Sequence, residues 1–163
     1  MKKKIAVIGA ALFVFASAEA FSFGLGLRGN IGWGSMYGGG ILFSANDSTH
    51  FGFNYHIGKE GFYLGVTGDY WIFDKPLTSV GKGSLNFYVG PGLYVQLAFP
   101  KGGDVDFDFG FGLRIPIGLD LDFRVFDLFL EFAPQLGLSF LPTPSFDGNW
   151  FNAAIGARVW LGK

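Results

Sequence analysis

The chain has 163 residues, a formal net charge of −1, no cysteine, 27 glycines and 21 phenylalanines. This length fits one domain, the lack of cysteine excludes disulfides and a lipoprotein anchor, and the charge argues against a nucleic-acid partner. Beyond residue 20 no apolar run reaches 18 residues, so the sequence predicts no transmembrane helix in that part.

The first twenty residues have the parts of a secretory signal peptide. Residues 2–4 are all lysine, 5–18 is an apolar run, and 18–20 reads Ala-Glu-Ala, a small-residue cleavage site. The alternative, a retained anchor helix, requires a longer run. We therefore predict a signal-peptide helix at 1–20 and a mature domain at 21–163. Its net charge becomes −3, because the removed segment carries three Lys and one Glu.

Eight segments of the mature chain alternate between apolar and small or polar residues. A period of two is typical of strands with one apolar face. The connections are short, which implies antiparallel neighbours, except for a longer loop that we predict at 74–83. In chain order the segments cover 21–28, 37–44, 50–57, 62–73, 85–97, 105–122, 126–140 and 151–161.

The sixth segment is unusually long for a strand. From Val105 to Asp122 every odd position is apolar, and every even position is small, charged or proline. An uninterrupted strand of this length extends about 60 Å at roughly 3.3 Å per residue. Tilted by about 45°, it rises about 42 Å, which is enough to cross a bilayer.

The composition of the two faces indicates which one is outside. The polar face is rich in Gly and Asp, whereas a solvent-exposed strand face usually carries Lys, Glu and Thr. The interior of an eight-stranded barrel is too narrow for all the Phe, Leu, Ile and Val side chains of the apolar face. The sequence therefore predicts an all-β fold, an eight-stranded antiparallel up-and-down transmembrane β-barrel with lipid outside. A secreted soluble β-sandwich or lipocalin-like barrel is the alternative.

These strands resemble the small outer-membrane barrels of the class of OmpX and the OmpA membrane domain. Two segments, GLRIPIGL at 112–119 and DLFLEFAP at 127–134, are similar to a family of short barrels in diderm bacteria, including spirochaetes. The class resemblance covers 21–163 and implies a fold and an outer-membrane location, but no chemistry. Such barrels often end on an aromatic residue, whereas this sequence ends on Lys163.

Five charged residues fall on the inward face in the middle of predicted strands. Unpaired charges there are costly, so we expect them to pair. The predicted register puts Glu131 opposite or diagonal to Arg114 and opposite Arg158, between two guanidiniums. We favour a structural plug, and the alternative is a narrow channel whose ion pairs open as a gate. The predicted lumen polar cluster comprises Arg28, Asp69, Arg114, Glu131 and Arg158.

Other motifs have simpler explanations than catalysis or ligand binding. The G-x-G-x-x-G match at 24–29 lies within an alternating segment, whereas a dinucleotide site requires it to open a helix. His50 and His56 are about 20 Å apart along an extended strand, too far to share a metal. His50 lies near Ser48 and Asp47 in sequence, which leaves a lipid-modifying enzyme as a third, less favoured hypothesis. We predict no catalytic residue, no cofactor and no metal site.

The sequence-based function is therefore that of an integral outer-membrane barrel with a structural or surface-interaction role. We expect outer-membrane lipids and the outer-membrane assembly machinery as partners, with an extracellular ligand of unknown kind.

Overall fold

The computed structural model describes residues 22–59, 61–102, 107–140, 144–146 and 150–162. The predicted signal peptide lies outside the described residues. Among those residues, no helix is long and apolar enough to span a bilayer. The strands are β1 (Phe23–Gly32), β2 (Met36–Ser44), β3 (Thr49–Ile57), β4 (Gly61–Tyr70), β5 (Phe73–Val80), β6 (Gly83–Val89), β7 (Gly92–Pro100), β8 (Asp108–Arg114), β9 (Ile117–Asp122), β10 (Phe126–Ser139), β11 (Ser145–Phe146) and β12 (Phe151–Leu161).

The strands close into an antiparallel ring of eight. The order is β12-β1-β2-β3-β4-β7-β8-β10, and β10 pairs with β12 to complete the ring. Starting at Trp160 and moving from each residue to its partner on the next strand leads once around the ring to Trp150 on the same strand, an offset of ten residues. Such an offset accompanies strands tilted by about 35–45°. The predicted eight-stranded antiparallel barrel is confirmed.

The predicted single strand over 105–122 is wrong in one respect, because the structure divides it. Within its described part, β8 ends at Arg114 and β9 begins at Ile117. Pro116 lies between them and has no N–H to donate to the sheet. The register is unchanged across the gap, since Arg114 faces Gln135 and Ile117 faces Phe132. The two strands therefore form one interrupted path.

The predicted loop at 74–83 is also wrong, because these residues form most of a β-hairpin. β5 and β6 pair from Phe73–Val89 to Val80–Gly83, with a register shift between Pro76 and Thr78. This irregularity interrupts the period of two, and for this reason the sequence pattern did not indicate β5. In the described sheet β5 pairs only with β6, and most of its residues are exposed.

The lengths of the connections distinguish the two ends of the barrel. At the end that holds both described termini, the connections cover only 45–48, 81–82 and 123–125. At the opposite end two of the four are longer, at 101–107 and at 140–150, which contains β11. Outer-membrane barrels have short periplasmic turns and longer extracellular loops. We therefore assign the end with the termini to the periplasm.

Large apolar side chains cover the outside of the ring. Monomeric soluble proteins rarely expose apolar patches of more than a few hundred Å². A closed ring satisfies its own backbone polar groups, so an apolar belt around it is a surface for lipid. Each ring strand contributes an outward residue that is 43–69% exposed: Leu27, Ile41, Phe53, Val66, Leu93, Leu113, Leu130 and Ile155.

Inside the ring, aromatic rings lie directly over glycines of neighbouring strands. A Cβ at Gly112 would lie 2.7 Å from the Tyr94 ring, and one at Gly156 would lie 2.5 Å from the Phe129 ring. A Cβ at Gly118 would overlap the ring of Tyr88. These glycines give the lumen room for large side chains, which explains why the inward face is rich in glycine.

Replacing Leu93 with Glu should impair insertion into lipid, because Leu93 is 61% exposed on the outer belt. We expect a loss of about 2 kcal/mol of folding free energy. Gln96→Glu is the matched control, since Gln96 lies on the same strand but faces the lumen. Heat-dependent gel migration after folding into liposomes measures the folded fraction. Equal folded fractions for the two variants would mean that the faces are assigned wrongly.

Gly118→Ala should destabilise the barrel by about 1–3 kcal/mol, because the new Cβ would collide with Tyr88 and with the carbonyl oxygen of Leu130. Gly65→Ala is the control, since the nearest atom to a Cβ there lies at 3.4 Å. It should change stability by less than about 0.5 kcal/mol. Urea unfolding in phosphatidylcholine vesicles gives both values, and a similar loss for the two variants would contradict the proposed packing.

Candidate functional site

Four of the five predicted lumen residues meet in the middle of the barrel, and we call them the central cluster. Arg114 Nη2 lies 2.5 Å from Glu131 Oε1, and Arg114 Nη1 lies 3.5 Å from Asp69 Oδ2. Arg28 Nη1 lies 3.8 Å from Glu131 Oε1. All four residues are at least 93% buried. Glu131 therefore lies between two guanidiniums, those of Arg114 and Arg28.

The predicted register around Glu131 is wrong, although Glu131 does have two arginine partners. Glu131 faces Gly118 on β9 and Ala154 on β12, not Arg114 or Arg158. The Arg114 side chain reaches Glu131 from a position opposite Gln135, four residues away. An arginine is long enough to span this offset, and a tilted ring brings its neighbours together diagonally.

Arg158 lies apart from the central cluster, closer to the periplasmic end. It faces Asp127 on β10, and its Nε lies 3.0 Å from Asp127 Oδ1 and 3.1 Å from Oδ2. The Trp160 indole N–H donates to the same carboxylate at 2.6 Å. The predicted pairing of Arg158 with Glu131 is therefore replaced by a pair with Asp127, a residue that we did not single out in the sequence.

A stack of three rings lies beside this ion pair. The Trp71 ring lies 3.8 Å from His50 and 3.7 Å from Tyr88, with an angle of 13° between the Trp71 and Tyr88 planes. The Arg158 guanidinium lies 4.9 Å from the Trp71 ring centre, within range of a cation–π interaction. The stack His50–Trp71–Tyr88 and the pair Arg158–Asp127 together form what we call the periplasmic layer.

A hydrogen bond joins the central cluster to the periplasmic layer. The Tyr88 hydroxyl donates to Glu131 Oε2 at 3.2 Å, so the ring stack contacts the central cluster directly. The sequence signal for Trp71 and Tyr88 was their position, since both fall on the inward face among small and polar residues. Large rings on that face indicate lumen packing, but their partners depend on the register.

The environment of His50 is that of a buried structural residue. Its Nε2 faces the carbonyl oxygen of Asp47 at 3.2 Å, and a carbonyl can only accept, so we assign the proton to Nε2. Nδ1 then accepts from Ser44 Oγ at 2.7 Å and from Arg158 Nη1 at 2.8 Å. The serine hydroxyl on this ring is thus that of Ser44, not Ser48. Ser44 and His50 are each at least 96% buried, and the His50 ring lies against the Trp71 ring.

The other sequence motifs also have structural roles. His56 contacts the Asn152 amide at 2.9 Å, away from His50. Among the described residues no group of His, Cys, Asp and Glu could hold a metal ion. The glycine motif at 24–29 lies within β1, not at the start of a helix.

Amide side chains occupy the lumen on the extracellular side of the central cluster. Asn54 Oδ1 accepts from Arg28 Nε at 2.6 Å and from Asn30 Nδ2 at 3.3 Å. A cavity of about 30 Å³ lies here, lined in part by Tyr63 and Gln96. It has room for about one or two water molecules.

The solved structures that resemble this chain include two bacterial proteins. The N-terminal β-barrel domain of Pseudomonas aeruginosa OprF has a TM-score of 0.51 and 19% sequence identity, over 86% of this chain and 98% of that chain. Neisserial surface protein A has a TM-score of 0.45 and 11% identity, over 85% of this chain and 95% of that chain. No protein-family model matches the sequence, and no curated protein matches it. The fold is that of the small outer-membrane barrels, and with the apolar belt it indicates an outer-membrane location.

Glu131→Ala should strongly destabilise the barrel, because it leaves Arg28 and Arg114 without their shared carboxylate. Removing one partner of a desolvated ion pair costs about 3–5 kcal/mol. Lys82→Ala, in the exposed turn between β5 and β6, is the control, with an expected change below about 0.5 kcal/mol. Urea unfolding in lipid vesicles measures both variants, and a loss for Glu131→Ala no larger than the control would show that the cluster does not stabilise the barrel.

Proposed function

We propose that this outer-membrane barrel has a structural or surface-interaction role and that its lumen is closed by a plug of buried side chains. The observation that carries the proposal is the pair of layers across the lumen. The central cluster and the periplasmic layer lie one above the other and are joined through Tyr88 and Glu131. A conducting pore needs a continuous water path, and two buried layers in series oppose it.

The chemistry of the two layers supports a plug that is stable at rest. In the central cluster the charges of Arg28 and Arg114 balance those of Asp69 and Glu131. Opening the lumen requires breaking these pairs and separating stacked rings at the same time. Removing one partner of such a pair strands the other charge, so partial opening is unfavourable.

The outer belt supports the proposed partners of the barrel. It presents aliphatic and aromatic side chains around the whole ring, so outer-membrane lipids are its immediate surroundings. A ring that closes β12 on β1 requires both ends of the chain before it is complete. We therefore include the outer-membrane assembly machinery as a folding partner.

A narrow channel is the second candidate, and one feature of the central cluster favours it. Arg114 contacts two carboxylates and Glu131 contacts two guanidiniums, so the pairs can exchange partners. Within the described part of the chain, Arg114 Nε and Asp69 Oδ1 have no hydrogen-bond partner, which leaves capacity for other pairings. A lipid-modifying enzyme is less favoured, because Ser44 and His50 are buried and hydrogen-bonded within the plug.

Single-channel recording in planar bilayers separates the plug from the gate. For a plug with two layers, the wild type and Glu131→Ala should show no resolvable conductance, because the ring stack still closes the lumen. The double variant Glu131→Ala/Trp71→Ala should conduct, since both layers are then reduced. Conductance in the wild type that rises in Glu131→Ala alone would instead support the gated channel. A double variant that folds but does not conduct would contradict the two-layer plug.

A further inference from the structure

Two neighbouring rows of outward side chains border a groove on the outer wall of the ring. Each row follows paired residues across the strands β1, β2, β3, β4 and β7. The space between the rows has a volume of about 680 Å³, and we call it the outer groove. The first row is Leu27, Ile41, Phe53, Val66 and Val95, and the second is Gly39, Tyr55, Leu64 and Leu97.

The second row has no side chains at its β1 end, because it passes through two glycines. Gly39 on β2 faces Gly29 on β1. A Cβ at Gly29 would meet no atom within 4 Å beyond its chain neighbours, so the wall is open there. A Cβ at Gly39 would lie 3.4 Å from both the ring and the hydroxyl of Tyr55, so the Tyr55 side chain extends over this glycine. The glycine pair therefore leaves the outer groove open at this end.

The dimensions of the outer groove suit a single hydrocarbon chain. The two rows are two residues apart along each strand, which is about 7 Å. The groove crosses five strands, so its length is four strand spacings, or about 19 Å. An α-helix with its side chains is about 10–12 Å across, so a helix does not enter a groove of this width.

The described lining of the outer groove is apolar on both sides. Its floor is the backbone of the inward row between the two walls, from Arg28 on β1 to Gln96 on β7. Those backbone groups are paired within the sheet, and the Arg28 side chain faces the lumen. On the outer face of the described lining, Tyr55 alone carries a polar side-chain group. A polar or charged ligand therefore lacks partners here.

The tilt of the ring determines which end of the outer groove faces the extracellular side. Moving from partner to partner leads from Trp160, near the periplasmic end, to Trp150, in the extracellular connection. The groove follows the same direction from β1 to β7. Its upper end is at Leu97, close to the end of β7 at Pro100. With strands tilted by about 35–45°, the groove is inclined by about 45–55° to the barrel axis.

We propose that the outer groove binds one acyl chain of an outer-membrane lipid whose headgroup lies on the extracellular side. The methyl end of the chain lies toward the glycine pair, and the headgroup lies above β7. A chain that enters the groove leaves other hydrocarbon, so close packing between the two rows favours binding, not the removal of water. The inference rests on the proposed contact of the outer belt with outer-membrane lipids, and it is independent of the plug.

Native mass spectrometry of the full mature barrel, released from phosphatidylcholine nanodiscs, tests the site by counting retained lipids. We expect the wild type to retain one phosphatidylcholine molecule. Leu64→Trp should lower the retained fraction about threefold, because the larger ring narrows the groove. Leu136→Trp is the matched control, since Leu136 also faces outward and is 53% exposed, against 43% for Leu64, but lies on β10 outside the groove.

The lipid itself provides a second comparison, which separates the chain from the headgroup. A short-chain phosphatidylcholine should not be retained, because it fills only part of the groove. Phosphatidylglycerol with the original chains should be retained as well as phosphatidylcholine, because the groove contacts the chain. Retention that depends on the headgroup and not on chain length would contradict the proposal.

Heat-dependent gel migration must first show that each variant is folded. If Leu64→Trp does not fold, Val95→Trp provides the test, since Val95 lies in the other wall of the same groove. Weaker retention in either groove variant, with Leu136→Trp unchanged, supports the site. The proposal is overturned by equal retention in groove and control variants, by a folded barrel that retains no lipid, or by a lipid-free dimer that Leu64→Trp disrupts. None of these outcomes bears on the plug, which single-channel recording tests separately.

Discussion

The whole structure depends on one spatial constraint, the narrow lumen of an eight-stranded ring. The large apolar side chains face the lipid outside the ring. The lumen has barely enough space for the inward-facing side chains. The chain meets this constraint by placing rings over glycines, as Tyr94 lies over Gly112 and Phe129 over Gly156. The glycines leave room, and the rings of neighbouring strands fill it. The high content of both Gly and Phe follows from these opposite demands of the inner and outer faces.

Six charged residues of the lumen are compatible with burial because each lies near an opposite charge, on one of two levels. The central cluster compensates its charges internally, and Arg158 is compensated separately by Asp127 within the periplasmic layer. Tyr88 connects the levels, since its ring stacks on Trp71 and its hydroxyl contacts Glu131. The two levels are therefore in direct contact, which is the physical basis for treating them as two layers of one plug.

The two ends of the lumen differ in their packing. Toward the periplasm the rings of His50, Trp71 and Tyr88 lie against one another. Toward the extracellular side, amide side chains such as those of Asn30 and Asn54 line the lumen, and a small cavity lies beside them. The periplasmic half contributes rigidity, and the extracellular half contributes a surface of mixed polarity.

The sequence by itself determined the fold class, the number of ring strands and the face of most residues, because a period of two assigns sides without any knowledge of neighbours. It also placed Arg28, Asp69, Arg114 and Glu131 on the inward face. It did not reveal the β5–β6 hairpin, since the register shift near Pro76 disrupts the period. Only the tertiary structure decided that Arg158 pairs with Asp127 and that Arg28 reaches Glu131. Those contacts depend on the ten-residue offset of the ring, which arises when all eight strands close together and which no single strand encodes.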